Sequence, residues 1–392
     1  MTPTPDRGRF VRTALRDLAL VQIRHVGRVR YGPAQGRDLV GRVYREMERD
    51  FGVLAPPIAL HAPAPEALAA SWLMLREAMI APGQAGRLAK EAVATAVSVG
   101  NTCPYCVTMH SSMVRSLADG ADAAALAGDR AGQVADPALR AIAAWAGAAA
   151  ARDGATAVPA PFPAAQAPEL VGVLVVMQYL NRMVNVFLGD VPLPPGVPKL
   201  ATGPVAGVLG GLIRGGADRA AQPGGSLDLL PPAGPGQGAF GGPGSDPGSD
   251  LAWAAGSPSV AEAFARAGAA IERGGRASVP EPVRALLLAE LDAWDGRPRP
   301  LHPGWLEEPL AALAPDHRPA GRLALLTALA SYRVDRGVVG AFRAGQPQDS
   351  ALIELAAWAA LAAARRVGGW TLPQAGGARS AEPGANSAIS EN

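Results

Sequence analysis

Helical spacing of apolar residues runs through most of the chain and limits its fold more than any other feature. Between residues 36 and 200, apolar side chains recur three and four positions apart, for example in LVGRVYREMERDF and GRLAKEAVATAVSV. The same spacing returns between residues 257 and 370, as in LIELAAWAALAAARRVGGW. Such spacing places apolar side chains on one face of a helix, and no stretch shows the sustained period-two alternation of a strand. The sequence therefore predicts an all-α fold.

Changes in composition along the chain predict its division into domains. The stretch 222–250 (QPGGSLDLLPPAGPGQGAFGGPGSDPGSD) consists largely of Gly, Pro, Ser and Asp, a composition typical of flexible linkers. We therefore predict an N-terminal extension, a helical domain, a linker, a second helical domain without Cys, and a disordered tail. These segments are 1–35, 36–200, 201–256, 257–370 and 371–392.

The two halves show a resemblance that suggests an internal duplication. PALRAIAAWAGAAAARDG precedes a helix that ends VVMQYLNRMVNVFLGD, and EPVRALLLAELDAWDG precedes one that ends LLTALASYRVDRGVVGAFRAG. Helices rich in Ala and Leu can also resemble each other through composition alone. The second domain is thus either a degenerate copy of the first or an unrelated helical domain.

Charge and hydropathy exclude several classes of partner. A net charge of +2 is too balanced to indicate binding to nucleic acid or to an anionic membrane. The longest apolar run, Leu170 to Leu180, stops at Asn181 and Arg182, short of the roughly 20 residues that a membrane helix needs. The N-terminus lacks the apolar core of a signal peptide. We therefore expect a cytoplasmic protein with no membrane or nucleic-acid partner.

Cysteine usage points to a particular kind of chemistry. The chain has 2 Cys, Cys103 and Cys106, in the motif Cys-Pro-Tyr-Cys. Two Cys are too few for a secreted disulfide scaffold or a four-Cys zinc site. The pair is therefore a redox dithiol, half of a mixed metal site, or a coincidence.

The local sequence places this pair at the start of a helix. Gly100 and Asn101 are residue types that end helices in the left-handed conformation, and Thr102 is a natural N-cap. A new helix is then expected to begin at Cys103, where the positive end of the helix dipole would lower the pKa of the thiol. The spacing of three places Cys103 and Cys106 on one helix face, close enough to form a disulfide.

Two ionisable residues are candidates for proton transfer beside the dithiol. His110 lies four residues after Cys106 on the same face and can act as a proton carrier. Glu91 lies on the preceding helix, and a sharp turn between the helices would bring its carboxylate to the same place. Its Ala- and Val-rich surroundings are expected to raise its pKa, which suits a general base. Asn181 and Asn185 either line this pocket or join helices by hydrogen bonds, and we do not include them in the site.

The spacing Glu, eleven residues, Cys-X-X-Cys, three residues, His resembles the motif of the AhpD-like alkylhydroperoxidases, within the carboxymuconolactone decarboxylase superfamily. The resemblance covers about residues 40–190. It implies a helical, oligomeric peroxidase that needs no metal, flavin or haem, so the expected cofactor set is empty. The substrate would be an organic or hydrogen peroxide, and the reductant a dithiol protein or a lipoyl-type thiol.

The resemblance also implies roles for the four residues. Cys106 attacks the peroxide, Cys103 resolves the resulting sulfenic acid, and Glu91 with His110 forms a proton relay. The helix dipole argues instead for Cys103 as the more acidic thiol. Tyr105 stands where a His can occur in the family, which leaves the details of the relay open, and the long C-terminal half leaves the substrate open.

Several other functions remain open from the sequence. Cys-Pro-Tyr-Cys also matches glutaredoxins, but their motif follows a strand, whereas a helix precedes it here. A zinc site with His110 would need a fourth ligand, and no second pair has fitting spacing. A redox-sensing or disulfide-exchange module would use the same dithiol without turnover. A carboxymuconolactone decarboxylase-like enzyme would have no need of a dithiol.

Overall fold

The computed structural model describes residues 16–17, 20–27, 38–118, 120–190, 221–234, 249–300 and 302–371. Over these ranges the regular secondary structure is helical and contains no strand, which confirms the all-α class. A π-helical turn, Arg76–Ile80, extends the third helix. In chain order the α-helices are α1 (Leu39–Asp50), α2 (Pro56–Ala59), α3 (Pro65–Leu75), α4 (Arg87–Gly100), α5 (Pro104–Leu117), α6 (Gly120–Ala127), α7 (Pro137–Ala148), α8 (Arg152–Ala157), α9 (Ala167–Phe187), α10 (Pro258–Ser278), α11 (Glu281–Ala293), α12 (Glu307–Ala311), α13 (Arg318–Leu329), α14 (Arg336–Gly345) and α15 (Asp349–Trp370).

Helix starts follow short local patterns in the sequence. The Asp38 carboxylate accepts a hydrogen bond from the Gly41 amide at 2.8 Å and so caps α1. Asp136 caps α7 in the same way, and Pro137 occupies the first helical position, where a missing N–H costs nothing. Local capping therefore sets where these helices begin.

The long helices α9 and α15 pack against each other at the centre of the molecule. They approach so closely at Gly368 that a Cβ atom there would lie 2.6 Å from Val175 Cγ2. The segment Ala164–Phe187 is long and apolar enough to cross a membrane by length and composition alone, but 94% of its apolar window is buried inside the protein. Its apolar surface therefore belongs to the protein core.

Helices from both halves of the chain share one apolar core. Besides the α9–α15 contact, α3 of the first half packs along α10 of the second. The segment 325–345, paired in the sequence with the end of α9, forms the end of α13, a 3₁₀ turn and α14 instead of one long helix. By length, α9 (21 residues) is matched by α10 (21 residues) and, within one residue, by α15 (22 residues). The duplication and the domain boundaries stay predictions.

Part of the predicted linker is packed against the first half. Gln222 O accepts a hydrogen bond from Arg76 Nη2 at 3.1 Å, and the Gly224 amide donates to Glu77 Oε2 at 2.8 Å. Leu229 and Leu230 are buried, so the sequence of 221–234 supplies enough apolar surface to order it. The stretches 201–220 and 235–248 lie outside the described residues.

The N-terminal extension is described mainly at residues 20–27. There the Arg24 amide donates to Phe187 O at 2.8 Å, and the Gly27 amide donates to Asp349 Oδ2 at 2.6 Å. This segment therefore contacts both halves of the chain. Apart from residues 16–17, the rest of the extension lies outside the described residues, as does the predicted tail from residue 372 onward.

Candidate active site

The turn between α4 and α5 positions the two cysteines. Thr102 has a φ of 51°, in the left-handed region. Its amide donates to Val99 O and the Cys103 amide donates to Ser98 O, each at 3.0 Å. This is the Schellman pattern of a helix C-terminus, which usually has Gly at the left-handed position. A β-branched residue is strained there, so the surrounding structure must hold the turn in place.

The sequence prediction for this turn was wrong in its details. Gly100 is the last residue of α4 and Asn101 follows with a φ of −85°, so neither is left-handed. Cys103, and not Thr102, is the N-cap of α5, and the helix begins at Pro104. Asn101, just before Thr102, is held by hydrogen bonds that are described below.

The two thiols form a close, buried pair. Cys103 Sγ donates to Cys106 Sγ, and the two sulfur atoms lie 2.7 Å apart. The exposed fractions of the two residues are 1% and 4%. Burial raises the pKa of the Cys103 thiol well above its usual value, and its contact with Cys106 raises it further. The expectation that the helix dipole lowers this pKa was therefore wrong, because desolvation of the sulfur outweighs the dipole.

Glu91 and His110 form a hydrogen-bonded pair. His110 Nδ1 lies 2.7 Å from Glu91 Oε2, and Arg87 Nη2 lies 2.7 Å from Glu91 Oε1. Burial, the largest single effect, raises the pKa of Glu91, but Arg87 and His110 together outweigh it and the pKa falls below its usual value. The predicted upward shift was therefore wrong, because it rested on burial alone and both Arg87 and His110 contact the carboxylate. Glu91 is a carboxylate at neutral pH.

The packing of α4 on α5 brings the four predicted residues into one region. Glu91 lies on α4, whereas Cys106 and His110 lie four residues apart on α5 and so share a face. No hydrogen bond joins His110 to either sulfur atom, although all of these residues are described. Because Nδ1 of His110 donates to the Glu91 carboxylate, Nε2 is the ring nitrogen that can exchange a proton.

A polar network on α9 braces the turn before Cys103. Asn101 Nδ2 donates to Asn181 Oδ1 at 3.1 Å, and Asn185 Nδ2 donates to Asn101 O at 3.1 Å. Arg182 Nη1 lies 3.5 Å from Asn101 Oδ1. Asn181 and Asn185 therefore join helices. This is one of the two alternatives that the sequence left open for Asn181 and Asn185.

A second buried contact, missed from the sequence, lies beside Glu91. Lys90 Nζ lies 2.6 Å from Glu169 Oε2, and Glu169 Oε1 also accepts from the Gln84 amide at 2.6 Å. A Cβ atom on Gly83 would overlap the Glu169 carboxylate, so a larger residue there would have to displace it. Because Glu169 is on α9, this contact holds the loop before α4 and with it the start of the helix that carries Glu91.

Within the described ranges there is no group of three or more His, Cys, Asp or Glu arranged to hold a metal ion.

Comparison with known proteins identifies a relative over most of the chain. Alkyl hydroperoxide reductase Rv2159c of Mycobacterium tuberculosis is 35% identical over 339 residues, which are 86% of this chain and 92% of that protein. No protein-family model matches the chain, and no solved structure matches it significantly. The identity extends over both halves, beyond the segment that carries the motif. The chain belongs to the AhpD-like alkylhydroperoxidase family of the carboxymuconolactone decarboxylase superfamily.

Proposed function

We propose that this protein is a thiol-dependent peroxidase that reduces organic or hydrogen peroxides through a Cys103/Cys106 dithiol–disulfide cycle. The observation that carries the proposal is the pair of sulfur atoms 2.7 Å apart, one helical turn from a histidine bonded to a buried carboxylate. The relative described as an alkyl hydroperoxide reductase supports the same reaction.

In the first step, His110 takes the proton of the Cys106 thiol. The thiolate attacks one oxygen of the peroxide, and the O–O bond breaks as the S–O bond forms. The imidazolium returns its proton to the leaving alkoxide, which departs as an alcohol, or as water when the substrate is hydrogen peroxide. The Glu91 carboxylate stabilises the transient charge on His110. The S–H of Cys103, which donates to Cys106 Sγ, supplies a donor beside the developing thiolate.

In the second step, Cys103 attacks the sulfenic acid on Cys106. A disulfide forms, and the hydroxyl leaves with the Cys103 proton as water. The raised pKa of Cys103 suits this role, because this thiol keeps its proton until the second step. The two steps together convert two thiols and one peroxide into one disulfide, one alcohol and one water.

We propose that the cycle needs no bound cofactor and that an external dithiol resets it. Attack of that dithiol on the Cys103–Cys106 disulfide returns both thiols and oxidises the reductant. A lipoyl-type thiol or a dithiol protein of a reducing cytoplasm has the required chemistry.

Steady-state peroxide consumption tests this proposal. The purified protein is assayed with cumene hydroperoxide or hydrogen peroxide, with dihydrolipoamide or dithiothreitol as reductant, beside Cys103→Ser and Cys106→Ser. We expect many turnovers for the wild type and fewer than about one per molecule for each variant, because each step needs its own thiol.

The outcome also separates this function from its alternatives. A reversible disulfide that forms without turnover would contradict the peroxidase proposal and favour a redox sensor or a disulfide-exchange module. Full turnover in both Cys variants would show that the dithiol is not the reacting group. Ser112→Ala on the same helix, whose hydroxyl bonds only to Thr108 O, is the matched control and should keep wild-type turnover.

A further inference from the structure

The turn before the dithiol is held from the second half of the chain through α9. Asn185 uses its amide nitrogen twice, donating to Asn101 O at 3.1 Å and to Ser331 Oγ at 3.0 Å. Ser331 lies in the 3₁₀ turn Ser331–Arg333, between α13 and α14. With one hydrogen fixed by Ser331, the other points at the Asn101 carbonyl.

Arg182 makes a parallel connection one turn earlier on α9. Its Nε donates to Ala328 O at 2.8 Å, at the end of α13. Its Nη1 donates to the Gln178 carbonyl and side chain, each at 2.6 Å, and lies 3.5 Å from Asn101 Oδ1. Burial lowers the pKa of Arg182 to about 10, so it remains a cation at neutral pH. Arg182 thus links the end of α13 to Asn101, and Asn185 links the following 3₁₀ turn to the same residue.

The hydrogen bonds to Asn101 lie directly beside the strained backbone of Thr102. A β-branched residue in the left-handed region costs free energy and persists only where neighbouring contacts over-determine the backbone. Thr102 follows the residue that Asn185 and Arg182 hold, and it precedes the cysteine that its conformation places against Cys106.

We propose that the second half of the chain positions the dithiol. Ser331 and the Ala328 carbonyl fix the side chains of Asn185 and Arg182, which in turn hold Asn101. Asn101 then keeps Thr102 left-handed and Cys103 against Cys106. Ser331 and Asn185 are positioning residues in this scheme. The inference rests on the proposed redox role of Cys103 and Cys106.

The equilibrium between dithiol and disulfide is the readout. It is measured in the full chain by equilibration in dithiothreitol redox buffers, alkylation of free thiols and mass spectrometry, and so requires no peroxide turnover. Loss of the Ser331 acceptor in Ser331→Ala frees the Asn185 amide to rotate. We expect the equilibrium constant for disulfide formation to fall by about threefold to tenfold, the effect of one hydrogen bond. Asn185→Asp, which cannot donate to Asn101 O, should cause a similar fall.

Two further variants separate positioning from a general structural effect. Ser331→Thr keeps the hydroxyl and should restore the wild-type equilibrium. In a Thr102→Gly background the turn carries no steric strain, so adding Ser331→Ala should change the equilibrium less than about twofold. Ser278→Ala removes another hydroxyl contact of the second half, to Glu354, and should leave the equilibrium unchanged.

The proposal is overturned if Ser331→Ala and Asn185→Asp leave the equilibrium within about twofold of wild type, below the effect of one hydrogen bond. It is also overturned if Ser331→Ala has the same effect in the wild-type and Thr102→Gly backgrounds, since the contact would then not act through the strained turn. A protein that shows these shifts but consumes no peroxide would refute the peroxidase function and leave the positioning role intact.

Discussion

Glu91 contacts both Arg87 and His110 and so connects the ionisable side chains of the site. Its exposed fraction is 1%, and a carboxylate so deeply buried is tolerated only when both oxygens have charged or hydrogen-bonding partners. Arg87 and His110 provide them, one to each oxygen. The same contacts that keep Glu91 ionised also orient the His110 ring, which is the condition for proton exchange at Nε2.

Glu91→Gln is expected to reduce both turnover and stability. Loss of the carboxylate should lower peroxide turnover by about 10²- to 10⁴-fold, the usual contribution of a proton-transfer group. At neutral pH the free energy of unfolding should fall by about 1–3 kcal/mol, because a buried hydrogen-bonded charge is lost. Turnover assays and urea unfolding measure the two effects.

The pH dependence of stability tests the direction of the Glu91 shift. The pKa of Glu91 in the folded protein lies below its usual 4.5, so its stabilisation is complete above that pH. It is lost as the pH falls from there through the lower folded value. The stability difference between wild type and Glu91→Gln should therefore shrink on acidification. The control is Glu262→Gln, which removes an equally spaced but only partly buried pair with Arg266. A difference that grows on acidification would contradict a lowered pKa.

At the scale of elements, the start of α4 depends on a buried ion pair with α9. Glu169 binds Lys90 and two amides of the preceding loop, those of Gln84 and Ala85. Lys90 precedes Glu91 on α4, so the contact to α9 fixes the helix on which the carboxylate stands. Burial lowers the pKa of Lys90, and the contact with Glu169 opposes that shift.

Glu169→Gln is expected to destabilise the protein by about 3–5 kcal/mol, because it leaves Lys90 buried without its counter-charge. Glu66→Gln, which breaks the exposed pair with Arg273, should cost less than about 1 kcal/mol. Urea unfolding of both variants makes the comparison. Equal losses in the two would show that burial of the Glu169 pair has no energetic consequence.

Helices and motif spacing were predictable, whereas backbone exceptions and the balance between burial and charge were not. The periodicity of α4 and α5 and the spacing of Glu91, Cys103, Cys106 and His110 are local properties of the sequence. The carbonyl just before left-handed Thr102 accepts a hydrogen bond from Asn185, more than eighty residues away along the chain. The downward pKa shift of Glu91 combines its burial with contacts to Arg87 and His110. The Arg87 contact is a local spacing of four residues, whereas the burial, the His110 contact and the Asn185 contact are tertiary.

The linker prediction likewise missed the packing of residues 221–234, because it was made from composition alone. Gly- and Pro-rich sequence predicts flexibility only where no neighbour offers partners for the backbone. In 221–226 the partners are buried charges of the first half, among them Arg76 and Glu77. The composition of a segment gives no information about the protein surface against which that segment packs.

At the scale of the whole molecule, the two halves form one core and contribute to one site. The α9 helix carries residues that face the dithiol turn on one side and packs against α15 along its length. Because α9 is shared in this way, its position relative to α15 also determines the position of Asn181 and Asn185.

Gly368→Ala tests how closely these two helices must approach. The new Cβ atom would lie 2.6 Å from Val175 Cγ2, so the helices must move apart. We expect a loss of about 1–3 kcal/mol in the free energy of unfolding. The adjacent Gly369 has no atom within 4 Å of its Cβ position, and Gly369→Ala should be neutral or stabilise by up to about 1 kcal/mol. Indistinguishable unfolding curves for the two variants would refute the close packing of α9 on α15.

The most direct test of the central claim is the stoichiometry of a single oxidation. The fully reduced protein is mixed with a substoichiometric amount of cumene hydroperoxide, quenched with an alkylating reagent, and analysed by mass spectrometry for free thiols and for alcohol product. The account predicts one Cys103–Cys106 disulfide and one cumyl alcohol for every peroxide consumed. Alcohol formed while both thiols remain alkylatable, or a peroxide left intact by the reduced dithiol, would contradict it.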